Sequence, residues 1–410
     1  MEVKKIDFFK SFLLVGLVIL PLFYWPSAPI PYELPKVYFV DRWIEMLVVL
    51  GVVTNLNRLQ KEKLDMLLII LVGSFLIIAA TSSYLGVNFQ KSIFGNHYRS
   101  DGLITLSHLV GLFLTVLVFV KKDWIKDIAF SISLGAFLVS IWALFDSFKL
   151  YVLNVISVPN WDGAIGVSFG NPNFLAGYLV VTLPFTAYVI NYFERPKKLL
   201  YFVFITQIVA ILATRALAGI LGVLVFFFLL LFFQKTRYHK IFLSLTMVLL
   251  SMVSFVFISQ IKDQRIDRLF AAEGRERIIR KGLLAFEKRP ILGWGWANFD
   301  YAFDSVVWPV RLDHDVYVDK AHSLFLEILV STGIIGFIFY SATIFRSFTN
   351  LLKMKDFQNP LIYVLILFIV HSQTNIISIG EEIIFWTVLG ISAKKFKNSY
   401  LPNLSTEKYS

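Results

Sequence analysis

Apolar runs long enough to cross a bilayer, divided at every second boundary by a cluster of lysine and arginine, constrain this chain more than any other feature. A spanning helix needs about 20 apolar residues. Twelve stretches qualify as candidate spans, near 8–25, 37–56, 65–83, 103–120, 127–148, 174–192, 199–213, 217–234, 241–259, 322–345, 361–376 and 382–396. Inside hydrocarbon every backbone polar group must be satisfied within the segment, so such runs fold as helices. The spacing predicts an all-α polytopic membrane protein of about 12 transmembrane helices. At 57% hydrophobic residues, with a mean hydropathy of +0.70, little chain is left for a separate soluble domain. Residues 1–410 read as a single membrane domain.

The basic clusters are Arg58/Lys61/Lys63, Lys121/Lys122/Lys126, Arg195/Lys197/Lys198, Lys235/Arg237/Lys240, Arg346/Lys353/Lys355 and Lys394/Lys395/Lys397. All fall on the side of the N-terminus. Short loops rich in Lys and Arg stay inside, so both termini are expected in the cytoplasm. The net charge of +11 then reflects topology and contact with membrane lipids, and no nucleic-acid partner is expected. The first run follows Lys4, Lys5 and Lys10 like a signal peptide. Trp25-Pro26 stands where a small-residue cleavage site would be, so it reads as a retained span. Cysteine is absent, which excludes disulfides and thiolate chemistry.

One long polar stretch interrupts the apolar pattern. The loop 260–321 carries eleven Lys/Arg and ten Asp/Glu and lies on the outer side. Within it, Glu273 to Phe286 reads as an amphipathic helix with Ile278, Ile279, Leu283 and Phe286 on one face. Arg275, Arg277, Arg280, Lys281 and Lys288 dominate the rest. A basic amphipathic helix suits lipid headgroups. Pro290 and Gly293-Trp294-Gly295 end it.

Arg215 sits in a tight turn, Thr214-Arg215-Ala216, between two spans. An arginine at membrane depth marks a functional site, and a guanidinium binds phosphate bidentately; the plainer reading is a snorkelling helix-end residue. His322 opens the tenth span directly after the loop. Neutral imidazole is the common general base near pH 7, although an interfacial cap is an equal reading from position alone. His97, His108, His239, His314 and His371 compete with it, His108 with a packing role. Arg275, Arg277 and Arg280 form a candidate second cationic site facing Arg215, with Arg99 and Arg311 as weaker additions. Asp101, Asp162 and Glu273 are undistinguished candidate bases. No His/Asp/Glu spacing suggests a metal site, and no Walker or Rossmann glycine pattern is present. No metal or cofactor is therefore expected, and cationic side chains would have to hold any leaving diphosphate.

Several motifs together resemble one family. Arg275 is followed by Pro290-Ile291-Leu292-Gly293-Trp294-Gly295-Trp296-Ala297-Asn298-Phe299, similar to an arginine followed by Pro-Leu-Leu-Gly-x-Gly-x-x-Asn-Phe. His322 precedes Gly333 in a His-x10-Gly arrangement, and Ala321-His322-Ser323-Leu324-Phe325-Leu326-Glu327 resembles Ala-His-Asn-x-Tyr-Leu-Glu with Ser323 and Phe325 as departures. Gly170-Asn171-Pro172-Asn173-Phe174-Leu175-Ala176-Gly177 is similar to a signature at the start of span six. Gly95 to Gly102 resembles Gly-x-x-x-Arg-x-x-Gly around Arg99, and Thr214-Arg215 matches a Thr-x-Ser-Arg-Gly-like turn loosely. From about Tyr32 to Gly390 the chain resembles the O-antigen ligase and O-antigen polymerase superfamily.

The resemblance implies a GT-C-like membrane glycosyltransferase of the bacterial inner membrane, with the loop and active site on the periplasmic face. The donor would be a glycan on undecaprenyl diphosphate. The acceptor would be lipid A-core in a ligase or another lipid-linked glycan in a polymerase. His322 would be the base or position the acceptor hydroxyl. Arg215 and Arg275 would bind the diphosphate. An Arg-x3-Leu motif also fits Arg280–Leu284 and Arg265–Leu269, which leaves Arg280 in reserve. Arg99, Asn171, Asn173 and Gly333 would support the acceptor or the loop. A ligase is the first expectation and a polymerase the second. The alternative from another class is a polyprenol-glycan transporter, but the chain lacks the internal repeats and midplane charges of one.

Overall fold

A computed structural model describes residues 7–55, 63–155, 165–193, 196–233, 274–307, 317–354 and 360–395. The chain is helical. Its helices are α1 (Phe8–Ile19), α2 (Glu33–Asn55), α3 (Met66–Tyr84), α4 (Phe89–Phe94), α5 (Leu103–Phe119), α6 (Ile125–Tyr151), α7 (Pro172–Tyr192), α8 (Lys197–Ala213) and α9 (Leu217–Phe233). They continue with α10 (Arg275–Lys288), α11 (Phe299–Asp304), α12 (Leu324–Lys353), α13 (Pro360–Ser372) and α14 (Ile379–Ser392). A two-residue antiparallel pairing joins Lys63–Leu64 to Lys394–Lys395. Four described helices are long and apolar enough to cross a membrane: Met66–Tyr84, Lys122–Tyr151, Pro172–Tyr192 and Leu324–Lys353. The expected span 241–259 lies outside the described residues.

Helix α7 is the centre of the bundle. Its run Phe174–Thr186 is buried all round, as an apolar helix surrounded by others must be. It packs against α6, α8, α9, α13 and α14. Gln207 on α8 locks it: the amide donates to the Leu179 carbonyl at 2.8 Å and accepts from Thr186 Oγ1 at 2.8 Å. Such polar bridges supply part of the specificity that apolar packing between membrane helices lacks.

The two ends of the bundle differ in chemistry. At one end Arg346 Nε pairs with Asp65 Oδ2 at 2.7 Å, and Lys394 donates to the Val120 carbonyl. Three of the basic clusters seen in the sequence therefore meet there. At the opposite end of α3 and α12 lie Ser82, Ser83 and the Gly-Trp-Gly turn.

The tenth apolar stretch departs from expectation. Its helix starts at Leu324 with Ser323 as N-cap, and it is not continuous: Gly333 has φ +65° and ψ −171°. This combination is essentially restricted to glycine. The segment Pro290–Gly295 crosses the break. Ile334 N–H donates to the Pro290 carbonyl at 2.8 Å, and Trp294 and Gly295 N–H donate to the Val330 and Ser331 carbonyls at 3.0 and 2.9 Å. Helix periodicity in the sequence runs straight through Gly333, so the interruption is invisible until the partner segment is in place.

The loop helix also needs correcting. It runs Arg275–Lys288, two residues later than read. The face turned to the protein is Ile278, Lys281, Gly282 and Ala285, while Ile279 and Leu283 are exposed. Gly282 lets Leu326 of α12 approach closely. The short helices α4 and α11 were not foreseen.

Candidate active site

The segment before α12 is held by three successive anchors. Asp319 Oδ2 accepts from Arg99 Nε at 2.9 Å. Lys320 Nζ pairs with Asp101 Oδ2 at 2.5 Å and Glu327 Oε1 at 3.4 Å. Ala321 N–H donates to Glu327 Oε2 at 2.7 Å. The next residue, His322, is forced into the left-handed region with φ +53°, a conformation non-glycine residues rarely hold. Beyond it, Ser323 Oγ donates to Gln373 Oε1 at 2.9 Å, and the same oxygen accepts the Phe325 N–H at 3.3 Å. Anchored on both sides, the backbone sustains the strain that locally over-determined sites can store.

Arg99 and Asp101 come from a turn that closes on itself. Asp101 Oδ1 accepts the Asn96 N–H at 2.8 Å, and Gly95 (φ +83°) has no room for a side chain against the Asp101 backbone. The Arg99 guanidinium also lies over the Phe174 ring, 5.2 Å from its centroid. Burial opposes charge on Arg99, but Asp319, Asp101 and Glu33 more than offset it and raise its pKa. Asp101 behaves conversely. Burial would raise its carboxyl, yet Lys320, the Asn96 N–H and Arg99 together hold it below the usual range.

His322, Arg99, Asp101, Lys320, Glu327 and Trp296 line one cavity of about 90 Å³, together with Glu33, Glu382 and apolar residues of α2 and α5. Trp296 is fixed there by donating Nε1–H to the Asp101 carbonyl at 2.9 Å. His322 is half-buried, and its Nδ1 is buried with no hydrogen-bond partner. Burial first, then the charges of Arg275 and Arg99, push its pKa down to about 4 against the opposing pull of Asp319. The ring is therefore neutral at pH 7 and can accept a proton.

Of the other histidines, His108 bonds Glu45 at 2.9 Å and its own helix. His371 is buried against Glu381 at 2.7 Å, and His97 is exposed. His239 and His314 lie outside the described residues, as do Asp162, Glu273, Arg265 and Arg311.

The arginines separate. Arg275 Nη2 donates to Asn375 Oδ1 at 3.3 Å, and its charge acts on His322. Arg280 instead faces outward on α10, paired with Glu276 at 2.6 Å. Arg215 does sit in a tight turn, with φ +55°, its neighbour Ala216 donating to Thr214 Oγ1 at 3.2 Å. Its guanidinium stacks on Tyr151 at 4.1 Å, and it does not line the cavity. Of His322, Arg275 and Arg215 only His322 lines the cavity; Arg275 lies next to it through Asn375, and Arg215 is stacked on Tyr151. Asn171 caps α7 by accepting the Asn173 N–H at 2.8 Å, and Asn173 is half-buried; neither lines the cavity. Their signature reaches the site through Phe174 beneath Arg99. Gly333 acts at one remove, through the crossing segment that carries Trp296.

Sequence reasoning missed Asp319, Lys320, Glu327, Gln373, Asn375 and Glu382. A usable signal existed for two of them. Gln373-Thr374-Asn375 is a polar interruption between two apolar runs, on the same side as the long loop.

A family model described as O-antigen ligase matches residues 202–341. The matched stretch holds Arg215, Arg275, His322 and Gly333, and it supports the O-antigen ligase and polymerase superfamily. No curated protein matches the chain.

Proposed function

We propose that this protein is a membrane glycosyltransferase that moves a glycan from undecaprenyl diphosphate to a hydroxyl of lipid A-core, without a metal and with inversion. The observation that carries this reading is His322: neutral, unpartnered at Nδ1 and strained into a cavity beside Arg275.

In this mechanism the acceptor oxygen attacks the anomeric carbon from the face opposite the diphosphate. The carbon–oxygen bond to the diphosphate breaks, and the electron pair leaves with the phosphate oxygen. Arg275 neutralises that charge; Arg215, in the α8–α9 turn, would join it only on leaving its stack on Tyr151. The acceptor hydroxyl proton passes to His322. A group with a pKa of about 4 is a weak base, but Arg275 is one cause of that low value. A bound diphosphate offsets the arginine's charge and raises His322 toward the range where a base works best. Base strength is thus coupled to donor binding, which also limits wasteful activation of water. An open apolar groove between α12 and α13, lined by Phe325, Ile344, Phe345, Phe348 and Ile366, suits the lipid tail. Phe325 stands three residues from His322.

The wider reading has about 12 spans in the bacterial inner membrane, both termini in the cytoplasm, and loop 260–321 in the periplasm. The collection of Arg346, Lys394 and Lys63 at the end opposite His322 supports that orientation.

The test uses purified protein, a synthetic undecaprenyl-diphosphate glycan, lipid A-core and EDTA. Transfer to lipid A-core that is lost in His322→Ala and Arg275→Ala establishes the reading. Elongation of the donor with lipid A-core ignored moves the protein to the polymerases. No transfer by folded wild type to either acceptor refutes it.

A further inference from the structure

The cavity beside His322 is acidic where a diphosphate site would be basic. Glu33, Asp101, Glu327 and Glu382 line it. Its two permanent cations are already engaged: Arg99 by Asp319, and Lys320 by Asp101 and Glu327. Lys36, one turn along α2 from Glu33, donates to the Ser168 carbonyl at 3.2 Å over the Phe169 ring, and its charge also acts on Glu33.

Glu33 is the telling residue. It is 8% exposed. Its Oε1 accepts the Ile379 N–H at 2.6 Å, but its Oε2 is buried with no hydrogen-bond partner. Buried polar atoms are normally satisfied, and an orphan at a cavity wall calls for a donor from outside the protein. A carboxylate only accepts hydrogen bonds. The partner that an ionised Glu33 lacks is thus a hydroxyl or amine; burial pushes this carboxyl up, against the pull of Lys36, the Ile379 N–H and Arg99. The same cavity holds the Trp296 indole, an apolar face of the kind that packs against the C–H side of a sugar ring.

Arg275 is not among the lining residues. It lies behind Asn375, which both borders the cavity and accepts from Arg275 Nη2. His322 lines the pocket and feels the charges of Arg275, Asp319 and Arg99.

We infer that the acidic pocket is the acceptor subsite: it takes an uncharged, polyhydroxylated sugar ring and turns away phosphorylated or uronic sugars, while the leaving diphosphate lies on the Arg275 side of His322 and Asn375. The word acceptor rests on the proposed glycosyl transfer; the ligand class rests on the pocket alone. Charge discrimination comes from the carboxylates in their ionised form, which repel an anion by their field and leave a neutral ring unaffected; because burial pushes the Glu33 carboxyl up, the preference grows as pH rises.

Saturation-transfer NMR on the full-length protein in a zwitterionic, sugar-free detergent tests the ligand class without needing turnover. The probes are methyl glucoside and glucose 6-phosphate. Wild type binds the methyl glucoside at least about tenfold more tightly than the phosphate. Glu33→Gln and Glu382→Gln each narrow that preference by about tenfold, because one repelling charge is gone. Glu33→Gln keeps an oxygen for the Ile379 N–H, and Glu382→Gln leaves that anchor untouched. In the transfer assay the same variants raise KM for the acceptor and leave KM for the donor unchanged. Equal or tighter binding of glucose 6-phosphate overturns the inference. So does failure to bind either probe, an unchanged preference in both variants, or a donor KM that rises with the acceptor KM. Selective binding of the neutral ring by a protein that transfers no glycan removes the proposed reaction and leaves the pocket's ligand class standing.

Discussion

Gly333→Ala tests whether the break in α12 is structural necessity. A Cβ at this position would lie 2.1 Å from the Ile291 carbonyl oxygen and 2.6 Å from the Leu292 nitrogen. Both are backbone atoms of the crossing segment, so no side-chain rotation relieves the clash. The φ of +65° with ψ −171° adds strain of about 1–3 kcal/mol for a residue with a side chain. Pushing the segment away then loosens the three crossing hydrogen bonds at 2.8, 3.0 and 2.9 Å, each worth about 1 kcal/mol. The total is about 4–6 kcal/mol. At about 1–2 °C per kcal/mol for a chain of this size, the melting temperature in detergent falls on the order of 5–10 °C. Gly73→Ala is the control, because nothing lies within 4 Å of a Cβ there. An open helical glycine gains about 0.5–1 kcal/mol on becoming alanine. The displaced segment carries Trp296, so Gly333→Ala also lowers transfer. If Gly333→Ala melts within error of Gly73→Ala and keeps full activity, the crossing segment does not depend on the glycine and the reasoning fails.

The acid limb of kcat/KM follows His322 in the free enzyme, so activity falls as pH drops through about 4; the limb of kcat lies higher, because bound diphosphate offsets Arg275. Arg275→Gln removes a charge that lowers the His322 pKa, so its kcat/KM limb moves to higher pH, and a pH–rate series that shows no movement contradicts the assignment. Lys320→Met strands Asp101 and Glu327 without their cation and is expected to destabilise by about 3–5 kcal/mol; adding Asp101→Asn and Glu327→Gln recovers part of it, as thermal unfolding of the three proteins will show. Asn375→Ala frees the Arg275 side chain and is expected to raise KM for the donor several-fold (about 1 kcal/mol), which initial-rate kinetics will show. Arg215→Lys keeps the charge but loses the planar stack on Tyr151, and is expected to weaken donor binding while leaving binding of a neutral glycoside unchanged.

What the sequence displayed and what it hid divide along a physical line. Apolar runs and basic clusters are local, and α2, α3 and α5 through α9 follow them to within a few residues at each end. His322 was visible because a titratable side chain stood at the junction of a charged loop and an apolar run. Its company was not visible. Glu33, Lys320 and Glu382 come from three distant parts of the chain, and each alone reads as an ordinary helix-end charge. They meet because α2, α12 and α14 end at the same level of the bundle. The joint role of Arg275 and Arg215 rests on shared residue type and on the family resemblance, and neither carries a distance. Tyr151 holds one guanidinium in its stack while Asn375 holds the other beside His322. Likewise the Gly-Trp-Gly turn read as a helix stop. Its larger role appears only where Gly333 interrupts α12 and exposes the carbonyls of Val330 and Ser331 to the Trp294 and Gly295 N–H groups. A motif's glycines can therefore be matched to each other across forty residues only by asking which backbone groups each leaves unpaired. Gly293 and Gly333 answer that question together, since a Cβ on either would strike the other's segment.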